Sequence, residues 1–298
     1  TVLAGKMFDI PLSGTMAHSW IMYQKDEYTA FKKFAETYPD NAVLLIDTYD
    51  VLKSGVPNAI RVAKEVLEPM GKRLKGVRLD SGDLAYLSRK VRKMLDEADC
   101  KDCIIVASNS LDEYTITSIL DQGGQIDSFG VGERLITSKS DPVFGAVYKI
   151  VEVEKDGEKV PKIKISETVE KITNPGRKNV YRIYDEEGRA ISDLLTKEDE
   201  VVDTSRPYRY VDSKKPWKNM CYENFTIKPL QQQVIKDGKR VMETESLDTL
   251  RDYVKQQLEQ EIWESELRFD NPHVHYLDMS PEYYEMKMDL LYKSQKND

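Results

Sequence analysis

The 298-residue chain reads as an α/β protein, with a parallel-stranded α/β part over residues 1–145 and a mixed part over residues 146–298 that is β-rich first and helical towards its end. Three observations predict this. Short apolar runs alternate with amphipathic stretches through the first half, the pattern of parallel strands in βα units. Each run ends in polar, acidic or glycine residues. After about residue 150 the pattern changes to period-two alternation and then to helical spacing.

The elements follow in order. A helix is expected over 24–38, "QKDEYTAFKKFAETY", and a first strand within "NAVLLIDTYD" (41–50). "GVPNAIRVAKEVLEPM" (55–70) reads as a helix and "KGVRLDSGD" (75–83) as the second strand. In "LAYLSRKVRKMLDEA" (84–98), Leu84, Leu87, Val91, Met94 and Leu95 recur at helical spacing. "CIIVASNS" (103–110) supplies a third strand, "LDEYTITSILDQ" (111–122) a helix carrying Ile116, Ile119 and Leu120 on one face, and "IDSFGVGE" (126–133) a fourth strand. In the second part, "AVYKIVEVEKDGEKVPKIKISE" (146–167) holds a hairpin turn at Asp156-Gly157. "RKNVYRIYDEEGRAISDLL" (177–195) has the same β character, 196–219 is polar and proline-bearing, and 247–267 is helical. Ser280-Pro281 opens a last helix.

The strand-end loops are Asp47-Thr48-Tyr49-Asp50, Asp80-Ser81-Gly82-Asp83, Ser108-Asn109-Ser110 and Gly130-Val131-Gly132. In a parallel α/β structure these ends converge on one face. At a single loop, Asp or Ser capping the next helix would suffice as an explanation. Four consecutive polar loops point instead to a site. They leave open whether the sheet closes into a barrel.

Composition bounds the function. With 44 basic and 52 acidic residues the net charge is −8, which argues against a nucleic-acid binder. A local cradle of backbone N–H groups still permits small anionic substrates. No apolar run approaches the ~20 residues of a membrane span, and no signal peptide is visible. Cys100 and Cys103 form a CxxC without a second pair or histidines nearby, so a zinc site is disfavoured. The pair precedes a strand rather than opening a helix after one, so a redox motif is disfavoured too. Two reduced thiols in a cytoplasmic protein are expected. The chain begins at Thr1 within "TVLAGKMF", which suggests an internal start.

His18, in "LSGTMAHSW", is the sole histidine of the first 272 residues. Its isolation fits a core residue as well as a reacting group, and a metal site poorly, since His273 and His275 lie far away in sequence. "DSGD" offers Asp80 and Asp83 to ribose hydroxyls or magnesium, or as helix caps. "GVG" lets a phosphate approach the backbone. Arg78, within a strand, needs an anionic partner, either a ligand or Asp80 or Asp83.

"GTMAHSW", "LLIDTYDVLKSGVPNAI", "GVRLDSGDL", "ASNSLDE", "DSFGVGERLITS" followed by "FGAVYKI", and "PKIKISETVEKITNPGRKNVYRIYD" occur in this order. Together they resemble the carboxyl-terminal portion of nicotinate phosphoribosyltransferases. The resemblance implies an irregular parallel α/β barrel of the type II phosphoribosyltransferase kind, here incomplete because family chains are longer at the amino end, with a second domain. It implies transfer of phosphoribose from phosphoribosyl diphosphate to nicotinate, coupled to ATP through a phosphohistidine at His18, with Mg2+ on the diphosphate and no dedicated metal site. It places Thr15, Ser19 and Arg78 on nicotinate, and Asn109, Gly130, Gly132 and Glu133 on phosphoribosyl diphosphate. Many members carry Thr where this chain has Glu133. A homodimer is implied for the full-length protein. The rivals are a nicotinamide phosphoribosyltransferase, against which an arginine partner for a carboxylate argues, and an inactive structural or interaction module. A barrel begun at its middle leaves an open strand edge, so residues 1–298 alone are expected to be poorly soluble and inactive.

Overall fold

Four parallel strands lie side by side in chain order in the computed structural model, which describes residues 2–143, 145–218 and 220–295. The chain divides into two compact units, Thr1–Gly145 and Ala146–Asp298. In the first unit, α1 (Val2–Phe8), α2 (His18–Tyr23) and α3 (Glu27–Thr37) precede β1 (Val43–Leu45). A π-helical turn (Val51–Gly55) and α4 (Val56–Val62) lead to β2 (Gly76–Leu79). Then come α5 (Leu84–Glu97), β3 (Ile104–Ala107), α6 (Glu113–Asp121), β4 (Ser128–Phe129) and the short α7 (Glu133–Ile136).

The order β1-β2-β3-β4, with every pair parallel, has no reversal. A doubly wound sheet reverses its order at a switch point, whereas a barrel winds on in sequence. The sheet is thus a half-barrel, which answers what the sequence left open. Strand alternation sorts the residues. Leu44, Ile46, Val77, Leu79, Ile105 and Ala107 are buried in one core with Phe31, Val62, Leu67, Val91 and Leu95 from the helices. Each such Leu, Ile or Phe contributes roughly 1.5–3 kcal/mol by leaving water. Near-continuous apolar runs predict strands covered on both faces. Here the second face is covered only in part, with Leu45 buried on it beside Arg78. Val43, Arg78, Ile104 and Val106 on that face line an open cavity.

Capping sets several helix starts. Asp26, Asp83 and Asp112 accept from the backbone N–H of Thr29, Tyr86 and Thr115, at the starts of α3, α5 and α6. The predicted helix over 55–70 is irregular, with π and 3-10 turns either side of α4. Gly55 lies so close to the end of β1 that a Cβ there would fall 1.9 Å from the Ile46 carbonyl oxygen. Helices α1 and α2 were not legible in the sequence. The apolar side chains Val2, Leu3, Met7 and Phe8 of α1 are exposed.

The second unit begins with the hairpin β5 (Glu152–Lys155) and β6 (Glu158–Pro161). Its turn is the expected Asp156-Gly157, both residues left-handed with φ of 54° and 80°. Strands β7 (Lys178–Tyr184), β8 (Ala190–Lys197), β9 (Tyr208–Asp212), β10 (Met220–Tyr222) and β11 (Thr226–Pro229) follow. After the small hairpin β12 (Ile235–Lys236) and β13 (Lys239–Arg240) come α8 (Leu247–Gln260), β14 (Leu277–Met279) and α9 (Pro281–Gln295). The sheet order is β10-β9-β14-β8-β7-β11, with β14 parallel to β8 and antiparallel to β9. Inside it, the Tyr222 hydroxyl donates to Asp278 Oδ2 at 2.8 Å and lies 2.6 Å from Ser192 Oγ. Burial pushes the Asp278 carboxyl above the ordinary range.

Candidate active site

Parallel strand ends place the site. Asp47 and Thr48 leave β1, Asp80 leaves β2, Ser108 and Asn109 leave β3, and Gly130 leaves β4. His18 opens α2. Its Nδ1 lies 3.0 Å from the Thr48 hydroxyl. Its Nε2 faces two carboxylates, Asp80 Oδ2 at 3.7 Å and Asp47 Oδ1 at 3.8 Å. The ring is 40% exposed and so within reach of a ligand, while the Asp47 carboxyl is 1% exposed. Asp47 Oδ2 accepts from the Asp80 backbone N–H at 2.9 Å and the Ser81 hydroxyl at 2.7 Å. Its Oδ1, the atom turned to His18, has no hydrogen-bond partner among the described residues. A buried carboxylate oxygen left in that state is costly. It leaves an acceptor beside Nε2 for a proton that nitrogen gives up.

Arg78 sits one strand over. Its Nε donates to Ser108 Oγ at 2.9 Å and its Nη2 pairs with Asp80 Oδ2 at 3.2 Å. Ser108 Oγ in turn donates to Asp80 Oδ1 at 2.5 Å. Register sets Arg78 beside Val106, and Val106 beside Ser128. Both oxygens of Asp80 are therefore engaged, and the guanidinium keeps Nη1 for a further anion.

Two cavities meet at this wall. The larger, about 760 Å³, is lined by Thr15, Val43, Arg78, Val106, Phe129 and Gly130 among others. The Thr15 hydroxyl donates to the Val43 carbonyl beside it. The smaller, about 390 Å³, is more polar and holds Asp80, Asn109, Glu133, Arg134 and Lys139. Arg78, Ser108, Gly130 and Gly132 line both. Arg134 is held by an ion pair to Asp112. Asn109 and Ser110 carry φ of 99° and 47°, so this loop is strained next to the polar cavity.

Of the residues singled out in the sequence, the structure gathers Thr15, Arg78, Asp80, Asn109, Gly130, Gly132 and Glu133 along the two cavities. His18 reaches them through Asp80. Two fall elsewhere. Ser19 lines neither cavity and is exposed on α2, because successive helix residues do not share a face. Asp83 is the N-cap of α5 and exposed, the capping role its sequence left open. The Arg78–Asp80 pairing is likewise the protein-internal alternative for that arginine. Asp47, Thr48 and Ser108 are visible in the sequence as members of strand-end loops, but nothing local marks them within those loops. An Asp following an apolar strand is a weak signal until its orphaned oxygen is seen. No group of three or more His, Cys, Asp or Glu among the described residues could hold a metal ion.

Fold and site together define an α/β chain of barrel-type winding, with a histidine–carboxylate–arginine cluster at the carboxyl ends of its strands. The chain belongs to the nicotinate phosphoribosyltransferase (NAPRTase) family, whose model matches residues 1–188, while the nicotinate phosphoribosyltransferase C-terminal domain matches residues 177–287. It is 44% identical to the nicotinate phosphoribosyltransferase of Bacillus subtilis over 98% of this chain and 59% of that one. With the Dictyostelium discoideum nicotinate phosphoribosyltransferase it shares 35% identity over 91% of this chain and 54% of that one. The chain thus spans little more than half the length of these relatives. The crystal structure of human nicotinic acid phosphoribosyltransferase superposes with a TM-score of 0.74 at 22% identity, covering 98% of this chain and 64% of that one, a likeness of fold. No helix among the described residues is long and apolar enough to cross a membrane.

Proposed function

We propose that the full-length protein transfers phosphoribose from phosphoribosyl diphosphate to nicotinate, giving nicotinate mononucleotide and diphosphate, on a type II phosphoribosyltransferase fold. We further propose that ATP drives the reaction through phosphorylation of His18, in a cytoplasmic homodimer. The relatives' names support the substrates. The observation that carries the reading is His18, with Nε2 directed at Asp47 and Asp80 and Asp80 bonded to Arg78.

On this reading Arg78 turns its free edge to the nicotinate carboxylate, with Thr15 on the same cavity wall. The pyridine nitrogen attacks the anomeric carbon as the bond to diphosphate breaks. Charge develops on the sugar, so alignment and fixed charges do most of the work. Asn109 and the backbone of Gly130 and Gly132 border the space for the ribosyl phosphate, and Arg134 and Lys139 add positive charge there. Glu133 lines the same cavity, and its carboxylate must turn from the phosphate. At His18, with Nδ1 held on the Thr48 hydroxyl, Asp47 Oδ1 takes the proton from Nε2, and the lone pair this frees attacks the terminal phosphorus of ATP as the bond to the departing ADP breaks. Magnesium fits no protein cage here, because both Asp80 oxygens are engaged and Asp83 caps a helix. The chemistry magnesium supplies is neutralisation of the diphosphate that carries it.

The test is a phosphoribosyl-transfer assay on the full-length protein with nicotinate or nicotinamide, with and without ATP. Nicotinate should be preferred and ATP should stimulate. Labelled ATP should leave an acid-labile label that His18→Ala loses, while slow ATP-independent transfer persists. Equal labelling of the variant removes His18 from the role. A preference for nicotinamide assigns the chain to that branch instead.

A further inference from the structure

Glu27 is a buried acid away from the strand ends, 4% exposed at the first position of α3. Its Oε2 accepts from the Ser54 hydroxyl and from Asn58 Nδ2, the latter at 2.9 Å. Asn58 Nδ2 also reaches Ser54 Oγ at 3.3 Å. Its Oε1 is buried with no hydrogen-bond partner among the described residues. Both partners belong to the segment that follows β1: Ser54 lies in the π-helical turn and Asn58 in α4.

Two chain segments therefore meet twice. One runs from His18 through α2 to Glu27. The other runs from Asp47 and Thr48 through the π turn to Ser54 and Asn58. At one end His18 meets Thr48 and Asp47, and at the other Glu27 clamps Ser54 and Asn58. The second segment is stiff between these points. Asp50 accepts from Leu52 and Lys53 N–H through its side chain and from Ser54 and Gly55 N–H through its carbonyl. Gly55 is pressed against Ile46, immediately before Asp47. The π turn itself, a geometry that recurs at functional sites, is what presents Ser54 to Glu27.

We infer that Glu27 is a positioning residue for His18, fixing α2 against the 47–50 loop so that Nδ1 stays on Thr48 and Nε2 faces the two carboxylates. The inference rests on His18 being the phosphoryl acceptor. Ile21 in the core and the Trp20 indole N–H on the Ala30 carbonyl anchor α2 as a body, so the clamp sets its fine placement against the loop, and small misplacements of reacting groups cost on the order of 10²-fold in rate.

The experiment uses the full-length protein with 15N-labelled histidine, the His18 ring being assigned by difference against His18→Ala. In Glu27→Ala the imidazole nitrogens of His18 should shift, while those of His273 and His275 stay in place. Labelling of His18 from ATP should slow on the order of 10²-fold. Glu27→Gln, which keeps an oxygen for Ser54 and Asn58, should restore both. If Glu27→Ala melts lower yet keeps the wild-type nitrogen shifts and labelling rate, Glu27 is only a packing residue and the inference is overturned. Should Glu27→Ala fail to fold, Asn58→Ala removes one arm of the clamp and is read the same way, unchanged nitrogens again overturning it. Absence of label in the wild type would strike the phosphoryl-acceptor reading, while the nitrogen shifts would still decide the positioning.

Discussion

Replacing Arg78 by Ala tests whether this site selects an acid. The guanidinium has two bonds inside the protein, to Ser108 at 2.9 Å and Asp80 at 3.2 Å, and one edge towards the larger cavity. Removing one member of a desolvated charge pair costs about 2–5 kcal/mol. The Arg78 side chain is 26% exposed, which screens the pairing and places the loss at about 2–3 kcal/mol. At 1.4 kcal/mol per decade that is roughly 30- to 150-fold in kcat/KM for nicotinate. Arg78→Ala also strands Asp80 and Ser108, a cost common to every substrate, so the ratio of nicotinate to nicotinamide is the quantity to read. Steady-state assays of the full-length protein at saturating phosphoribosyl diphosphate should show that ratio collapsing by this factor, with nicotinamide bearing only the common cost. Arg78→Lys should fall between, because it keeps the charge and loses the fork. Equal proportional losses for both substrates would refute the reasoning and leave Arg78 as the structural partner of Asp80.

Asp47→Asn retains an acceptor for the Asp80 N–H and Ser81 but neutralises the oxygen facing His18; pulse-labelling with ATP should show phosphorylation slowed by about 10²-fold with the melting temperature little changed. Asp80→Asn should compress the ratio of ATP-stimulated to basal transfer, measured on one preparation with and without ATP. Burial pushes the Cys103 thiol up to about 12 and raises Cys100 as well, while Cys221 is exposed; iodoacetamide at pH 8 should therefore modify Cys221 and spare the CxxC pair, read by peptide mass spectrometry. Asp278 has a folded-state pKa raised by burial, so the folded chain holds a proton that the unfolded chain releases, and its contribution to stability falls as pH rises above about 4; Asp278→Asn should melt higher than wild type at pH 7 and converge on it near pH 4.

The α/β core was legible because local rules and tertiary structure agree there. All four strand runs and the helices α3, α5 and α6 lie where apolar spacing put them, and Asp156-Gly157 turns the hairpin its sequence demands. Elements escaped where the signal is not local. Helix α2 is six residues long and α1 carries its apolar residues exposed, so neither shows a buried stripe. Strands β10, β11 and β14 are only three or four residues, and β14 exists through its place between β8 and β9. The site divides in the same way. Strand-end loops announced where it would be, but Ser108 bridging Arg78 to Asp80 and Asp47 turning an unpaired oxygen to His18 are contacts across about 30 residues of sequence.

Asp80 is the residue through which the two halves of the proposed chemistry meet. It lies 3.7 Å from the His18 ring and bonds both Arg78 and Ser108. A phosphoryl group at His18 adds about −1.5 to −2 charges. Two like charges about 4 Å apart repel by about 4 kcal/mol at an effective dielectric of 20. Asp47 cannot yield, since its other oxygen is bonded to the Asp80 backbone and Ser81 in a nearly closed pocket. Asp80 is 27% exposed and can turn. As it turns it releases Nη2 of Arg78, and that guanidinium lines both cavities at once. On the proposed reading, phosphorylation would strengthen anion binding without touching a substrate, by drawing the internal carboxylate off the arginine. On that proposal Arg78 would meet nicotinate through Nη1 alone while paired with Asp80, and through both Nη1 and Nη2 once the charge on His18 has turned Asp80 away.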